Sequence, residues 1–229
     1  MKISIIIPTY NEQEFIVSTI KTIKKRACKN SVFQIIVADG GSTDNTVMEA
    51  EKAGAIIVHA TKKRRGTQMN EGAASATGEL LYFLHADTLP PPHFDQHIRT
   101  SVEGGNPAGC FRLSFDDDHP LLRFYGWCTR FDIDVFRFGD QSLFITKELF
   151  KQIGGFRDDH ILMEDQDIVK SIKEDYSFSI LPQEVTSSSR KYMRNGALRL
   201  QGIYVLIVML YKAGVKQSKL YSVYKKWVY

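Results

Sequence analysis

Short β-branched runs alternate with segments of helical periodicity over the first ninety residues, and this alternation limits the fold more than any other feature of the sequence. The runs cover residues 3–7, 32–38, 55–59 and 80–84. Apolar residues recur every three or four positions from Ile16 to Ala27, which is typical of an amphipathic helix. Strands that alternate with helices indicate successive βα units. We therefore expect an α/β fold with a Rossmann-like, mostly parallel central sheet flanked by helices.

The pattern becomes irregular beyond residue 104, where we expect mixed sheet topology. Residues 108–115 and 141–145 suit strands, residues 147–152 and 165–174 suit helices, and the polar residues 116–119 suit a surface turn. Earlier helices are expected up to residue 54, over residues 66–76, and after the three prolines at 90–92. We place one domain at residues 1–195 and a helical appendage at residues 196–229.

The appendage differs from the body in charge. The chain has a net charge of +4, yet residues 190–229 contain nine Lys or Arg and no Asp or Glu. Its apolar run, residues 203–211, is too short for a membrane span, which takes about 20 residues. Lysines and aromatic residues beside a short apolar helix suit the surface of an anionic membrane. A helix that is apolar all round equally suits burial, against the domain or in a homodimer.

Composition also suggests a compartment. The three cysteines, Cys28, Cys110 and Cys128, form no paired spacing, which favours a reducing environment over a disulfide framework. The apolar run at the start is too short for a signal peptide. We expect a cytoplasmic protein, with the inner face of the membrane as its alternative location. The mild net charge gives no indication of a nucleic-acid partner.

Acidic side chains follow three of the expected strands. Glu12 comes after the first strand, Asp39 ends the second, and Asp87 follows the fourth. Ligands of open parallel sheets bind outside the carboxyl ends of the strands, so we expect these carboxylates to meet at one crevice. Such a cluster is unfavourable unless a cation or the hydrogen-bond donors of a ligand satisfy it.

Four segments follow one another at the expected strand and helix ends. They are Ile-Ile-Ile-Pro-Thr-Tyr-Asn-Glu ending at Glu12, Val-Ala-Asp-Gly-Gly-Ser-Thr-Asp containing Asp39, Leu-His-Ala-Asp ending at Asp87, and Gly-Gly-Phe ending at Phe156 followed by Met-Glu-Asp-Gln-Asp ending at Asp167. In this order they resemble the family 2 glycosyltransferases with the GT-A fold. The resemblance covers about residues 1–195. It implies inverting transfer of a sugar from a nucleotide-diphosphate donor, UDP-sugar being favoured, to the hydroxyl of a lipid-linked or small-molecule acceptor.

The resemblance also implies roles for single residues. Glu12 and Asp39 would hold the nucleoside, and Asp87 would bind Mg²⁺ or Mn²⁺. Asp165 would be the catalytic base, with Glu164 beside it as a competing carboxylate. The further nucleotide-sugar contacts implied are Pro8, Tyr10, Asn70, Ala86, Asp140, Arg190 and Arg194.

Several alternatives stay open at this point. Glu12, Asp39 and Asp165 could serve only as acids at helix N-termini. His85 replaces the usual first acid of the metal motif and could be a metal ligand, a phosphate donor or a packed residue. The family's Gln-X-X-Arg-Trp motif is missing near Arg190, which leaves room for a non-catalytic sugar-nucleotide-binding protein. A nucleotidyltransferase would have a glycine-rich loop after the first strand, where this chain has none.

Overall fold

The computed structural model of the chain describes residues 1–29, 33–133, 136 and 139–228. The described strands are β1 (Ile3–Thr9), β2 (Phe33–Asp39), β3 (Ile56–His59), β4 (Leu80–Phe83), β5 (Thr88–Leu89), β6 (Ala108–Phe115), β7 (Leu143–Thr146) and β8 (Phe178–Ser187). The described helices are α1 (Ile16–Arg26), α2 (Thr46–Lys52), α3 (Arg65–Ala74), α4 (Phe94–Glu103), α5 (Pro120–Cys128), α6 (Lys147–Gln152), α7 (Glu164–Asp175), α8 (Arg190–Asn195), α9 (Ala197–Lys212) and α10 (Gln217–Trp227).

The described strands form one sheet in the order β3-β2-β1-β4-β7-β6-β8-β5. Its first half is parallel, with β1 between β2 and β4 and with β3 outside β2. The second half is mixed, because β7 runs antiparallel to β4 and β6 while β8 runs parallel to β6. This topology confirms the expected α/β fold with a mostly parallel central sheet.

Strand β1 shows why the sheet is covered on both faces. Its alternate residues Ile3, Ile5 and Ile7 pack into one core cluster with α1, whereas Ile6 packs into a second cluster with α3. Neighbouring side chains of a strand point to opposite faces, so an unbroken apolar run requires a hydrophobic layer on each side. Burying each isoleucine contributes about 1.5–3 kcal/mol.

The expected elements mostly appear with shifted ends. Helix α6 has the expected bounds, while β7 begins at Leu143 instead of residue 141, and α4 begins only at Phe94, after the prolines. Val32, where we expected β2 to begin, lies outside the described residues, as does the final Tyr229. Elements β5, β8, α5 and α8 were not predicted, and the expected helical appendage consists of two helices, α9 and α10. The turn at residues 116–119 leads into α5, where the His119 side chain accepts a hydrogen bond from the Leu121 amide.

The C-terminal appendage is an αα-hairpin that packs on the body. Helices α9 and α10 run antiparallel, since Arg199 near the start of α9 donates to the carbonyl oxygen of Trp227 at the end of α10. Leu200 of α9 is fully buried in a small cluster with Leu122 and Tyr192. Of the described helices, none combines the length and the apolar character needed to cross a bilayer.

The close contact of α3 with β1 gives a stability prediction. A Cβ atom at Gly72 would lie 2.5 Å from Cγ2 of the buried Ile6. We expect Gly72→Ala to lower the free energy of unfolding by about 1–3 kcal/mol, because a packed strand cannot move away from the new methyl group. Gly202→Ala is the matched control: Gly202 also lies within a helix and has open space at its Cβ position, so alanine should be neutral or stabilising there. Urea denaturation measures the free energy of unfolding of both variants, and equal values would contradict the prediction.

Candidate active site

The loops that follow β1, β2 and β4 meet at one rim of the sheet. Thr9 at the end of β1 pairs in register with Asp39 at the end of β2. The amide of Glu12 then donates to the side-chain oxygen of Thr46, at 2.8 Å, which ties the first loop to the second. Asp87 follows β4, the other neighbour of β1. The three acids that the sequence singled out therefore lie at adjacent strand ends.

Arg190 joins two of these acids. Its Nη2 lies 2.8 and 2.6 Å from the two carboxylate oxygens of Glu12 and 3.1 Å from Oδ2 of Asp87. Its guanidinium carbon also lies 4.4 Å from the centre of the Phe15 ring. Burial raises the pKa of Glu12 above its ordinary value, although the hydrogen bond from Arg190 opposes that shift. Arg190 thus balances two carboxylates that would otherwise repel each other.

Asp39 organises its own loop. Its buried carboxylate accepts hydrogen bonds from the amides of Gly41 and Ser42, at 2.9 and 2.8 Å, and from the Thr9 hydroxyl at 3.2 Å. Helix α2 begins only at Thr46, whose amide donates to Asp44. Asp39 is therefore not the cap of that helix, and its carboxylate shapes the loop directly after β2.

A second cluster surrounds Arg65, at the start of α3. Its Nε lies 3.0 Å from Oε1 of Glu164, and its Nη1 lies 3.5 Å from Oδ2 of Asp165 and 3.2 Å from Nε2 of His85. The Glu164 side chain is 2% exposed, whereas that of Asp165 is 19% exposed. Burial raises the pKa of Glu164, and the charge of Arg65 opposes this. Glu164 therefore anchors the arginine, while Asp165 stays accessible.

His85 connects this cluster to Asp140. Arg65 can only donate, so Nε2 of His85 accepts, and its Nδ1 is left to donate to Oδ1 of Asp140 at 3.0 Å. Both ring nitrogens consequently have protein partners. Burial alone would raise the pKa of Asp140, but the hydrogen bond from His85 and the charges of Lys191 and Arg65 lower it to about 2. Asp140 is ionised at neutral pH.

Unusual backbone conformations occur beside these residues. Asn11, Ser142 and Met163 have φ angles of 54°, 62° and 68°, a left-handed conformation that is uncommon for residues other than glycine. Met163 directly precedes Glu164 and Asp165. Such strain persists only where the surroundings hold it and is often found at functional sites. A Cβ atom at Gly139 would lie 2.5 Å from Oδ2 of Asp165, so only glycine leaves room for that carboxylate.

A cavity of about 290 Å³ lies between the body and the hairpin. Its lining from the body includes the acids Asp87, Asp140, Glu164 and Asp165, the bases Arg65 and Lys191, and the aromatic residues Tyr125 and Tyr192. The hairpin lines it with Tyr204, Ile207, Tyr221 and Tyr224.

Four other residues expected in the site, Pro8, Tyr10, Asn70 and Ala86, are not among the described residues that line this cavity. Pro8 is buried within β1, and Ala86 is buried beside Asp87. Lys63 lies over the ring of Tyr10, with Nζ 3.0 Å from its centre. The Asn70 amide group holds the backbone of Phe156 through two hydrogen bonds.

Arg194 and its neighbour Lys191 have different surroundings. Arg194 is exposed and is not among the described lining residues, whereas Lys191 lines the cavity. Lys191 belongs to the basic segment, with Arg190 and Arg194, that the sequence offers for a diphosphate. Sequence reasoning missed the hairpin tyrosines, because spaced tyrosines are common on surfaces and no local pattern marks them as part of a site.

The acids also bear on metal binding. The described residues contain no group of three or more His, Cys, Asp or Glu that could hold a metal ion. Mg²⁺ in phosphate-handling sites is held by one or two carboxylates together with substrate phosphates. Asp87, with Glu12 bound to the same arginine, offers such oxygen ligands. The residues therefore fit an ion that binds together with a diphosphate.

Comparison with known proteins gives a consistent family assignment. The profile of glycosyl transferase family 2 matches residues 4–157. Validoxylamine A glucosyltransferase of Streptomyces hygroscopicus subsp. limoneus is 28% identical over 131 residues, covering 52% of this chain and 29% of that protein. Undecaprenyl-phosphate 4-deoxy-4-formamido-L-arabinose transferase of Serratia proteamaculans (strain 568) is 29% identical over 126 residues, covering 51% and 38%. The chain matches about a third of the length of these curated relatives.

A solved structure shares the fold. A mannosyltransferase from Pyrobaculum calidifontis, in complex with GDP-Man and Mn²⁺, superposes with a TM-score of 0.72 at 20% sequence identity. The match covers 92% of this chain and 63% of that one. The expected GT-A type fold is thereby confirmed.

The Arg65 cluster predicts a pH-dependent loss of stability. In Arg65→Met, Glu164 would stay buried without its cation, so its pKa should rise further above the ordinary value of 4.5. A raised pKa in the folded state contributes stability that is present below the unfolded pKa and lost as the pH rises through the folded one. We expect Arg65→Met to lower the free energy of unfolding by about 2–3 kcal/mol at pH 7. This loss is smaller than that for a fully buried ion pair, because the Arg65 side chain is 37% exposed.

The loss should be smaller at pH 5, measured by urea denaturation at both pH values. Arg65→Met combined with Glu164→Gln should remove most of this pH dependence. Arg64→Met, which changes the neighbouring arginine, should cost about 0.5 kcal/mol or less. An Arg65→Met variant whose stability is the same at both pH values would contradict the assignment.

Proposed function

The chain belongs to glycosyl transferase family 2, and we propose that it transfers a sugar from a nucleotide-diphosphate donor, UDP-sugar being favoured, to the hydroxyl of a small-molecule or lipid-linked acceptor. The observation that carries this proposal is the single arginine, Arg190, that joins Glu12 and Asp87 beside a cavity containing Asp165. Charged groups of both signs next to a carboxylate-lined cavity suit a charged donor and a hydroxyl acceptor. We assign the catalytic domain to residues 1–195.

The donor diphosphate would bind where Arg190 now lies. Glu12 and Asp39 border the rim on the nucleoside side, and their carboxylates can accept hydrogen bonds from ribose hydroxyls or a base N–H. Asp87 would be the protein ligand of Mg²⁺ or Mn²⁺, which when bound supplies positive charge against the charge that grows on the departing diphosphate. Arg190, released from one carboxylate, would then be free to donate to phosphate oxygens.

Asp165 is the proposed catalytic base. Its carboxylate lines the cavity, lies 3.5 Å from Arg65 and occupies the space that the missing side chain of Gly139 leaves open. A base must reach the proton that it removes, and the buried Glu164 is engaged with Arg65 instead. Asp165 would take the proton of the acceptor hydroxyl as its oxygen attacks the anomeric carbon opposite the nucleotide, which inverts the configuration.

The outer face of α9 supports a membrane contact. Leu198, Val205, Leu206 and Met209 are exposed and recur at helical spacing along one side of this helix. Described residues 190–228 contain nine Lys or Arg and no acidic residue. Apolar side chains flanked by basic ones match an anionic lipid surface. We therefore propose that this face rests on the surface of an anionic membrane, while the homodimer is the competing outcome.

Asp165→Asn tests the base. We expect transfer to fall by about 10²–10⁴-fold, while the donor affinity changes by no more than about twofold because the base acts on the acceptor. The donor is first identified from the melting-point shifts caused by UDP-, GDP- and dTDP-sugars with and without Mn²⁺. Asp175→Asn, the same chemical change at the exposed end of the same helix, is the control and should keep full activity. Loss of donor binding in Asp165→Asn would refute the assignment.

Vesicle sedimentation tests the membrane contact. The protein should sediment with phosphatidylglycerol vesicles and remain in solution with phosphatidylcholine vesicles. Leu206→Glu should weaken binding at least about fivefold, because it places an acid against an anionic surface. Met48→Glu is the matched control, since Met48 and Leu206 are both 44% exposed and Met48 lies on α2. Equal behaviour of the two variants, or a dimer mass in light scattering that Leu206→Glu abolishes, would contradict a lipid surface.

A further inference from the structure

We propose that the hairpin of α9 and α10 forms the acceptor site, and that this site takes an amphipathic acceptor with a ring or apolar group beside its reacting hydroxyl. The inference rests on the proposed transfer reaction and names its acceptor class. It also makes the C-terminal segment a working part of the site instead of an appendage to it.

The lining of the cavity differs by origin. The described charged lining residues, among them Asp165, all come from the body, which also contributes Tyr125, Tyr192 and the apolar residues 161–163. The hairpin contributes only uncharged side chains to the described lining, namely Tyr204, Ile207, Tyr221 and Tyr224. An acceptor between them would have its hydroxyl near the carboxylate and its carbon skeleton against aromatic rings. The volume of about 290 Å³ corresponds to the lower end of small-molecule sites, about 300 Å³. A short amphipathic group is therefore the best match in size.

The tyrosines that line the cavity provide both an apolar ring face and a hydrogen-bond donor. Burial raises the pKa of the Tyr204 and Tyr192 phenols above their ordinary value, so both stay protonated across the physiological range. A protonated phenol can donate to an acceptor oxygen while its ring packs against carbon atoms. Such side chains discriminate acceptors by shape and polarity without supplying a competing base.

The hairpin also holds the loop that leads to Asp165. The side-chain oxygen of Gln217, at the start of α10, accepts hydrogen bonds from the amides of Ile161 and Leu162, both at 3.1 Å. On α9, Tyr211 donates to Oδ1 of Asp167 at 3.3 Å. Between these contacts lies Met163 in its left-handed conformation. Gln217 is thus a positioning residue, because it fixes the backbone three and four residues before the proposed base.

The transfer step balances with these groups alone. The acceptor O–H bond breaks and its proton passes to the Asp165 carboxylate. The oxygen forms a bond to the anomeric carbon as the bond from that carbon to the diphosphate oxygen breaks, and the electron pair leaves with the nucleoside diphosphate. The hairpin takes no proton and forms no covalent bond in this scheme.

Ligand-observed NMR can test the acceptor site without knowledge of the donor. The probes are phenyl β-glucoside and glucose, which share the sugar ring and differ by one aromatic group. Saturation transfer to the full-length protein should show phenyl β-glucoside binding at least about tenfold more tightly than glucose. UDP should leave this binding in place, because the donor and acceptor sites are separate.

Substitutions in the hairpin test whether phenyl β-glucoside binds there. Tyr221→Ala should weaken phenyl β-glucoside binding about five- to tenfold, and the fold should tolerate it because Tyr221 is partly exposed. Leu206→Ala, on the outer face of α9, should bind like the parent. Gln217→Ala should weaken binding, and Gln217→Glu should restore it, since a carboxylate also accepts both amide hydrogen bonds.

The outcomes separate the two proposals. Equal binding of both probes, displacement of phenyl β-glucoside by UDP, or unchanged binding in Tyr221→Ala would overturn the acceptor site. None of these results bears on donor binding, which the nucleotide-sugar melting-point shifts measure independently. A protein that binds the probe as expected and no nucleotide sugar would instead overturn the proposed function.

Discussion

The parallel strands bring several carboxylates to one edge of the sheet, where they repel each other. The structure depends on the arginines that offset this repulsion. Glu12 and Asp87 follow adjacent strands, so the sheet register forces them together, and Arg190 contacts both. A second arginine, Arg65, contacts Glu164 and Asp165 at the start of α7. Each of the two arginines is the first residue of a helix, Arg65 of α3 and Arg190 of α8. The site is therefore held by two cations before any ligand binds.

In this arrangement some acids stabilise the arginines of the site, while others stay accessible to a ligand. The buried Glu164 keeps Arg65 in position, whereas the partly exposed Asp87 and Asp165 line the cavity. The strained Met163 backbone lies between the loop held by Gln217 and the proposed base. The C-terminal hairpin thus contributes to the same network, its inner face toward the cavity and the outer face of α9 toward solvent.

The sequence predicts what local patterns encode. Strands β1, β2 and β4 were predictable because buried parallel strands require continuous apolar runs, and the acids at their ends follow from the topology. Strand β3, which is only partly buried, was predictable from its β-branched residues. Arg190 was predicted as a phosphate contact, but its pairing with Glu12 joins residues 178 positions apart and leaves no periodic signal. Helix α5 and strand β8 were missed because one follows a polar turn and the other contains Pro182 and several polar residues. The hairpin tyrosines resemble an interfacial belt in sequence, and only packing shows which of them line the cavity.

We propose that Asp87 and its neighbours at the rim bind a divalent ion together with a nucleoside diphosphate. The electron paramagnetic resonance signal of free Mn²⁺, recorded while the protein is titrated with UDP present, measures this binding. We expect the protein to remove one ion per chain from the free signal, to bind Mn²⁺ weakly without UDP, and to lose this binding in Asp87→Ala. Mn²⁺ binding that is equally strong in Asp87→Ala, or that does not depend on UDP, would rule out this metal site.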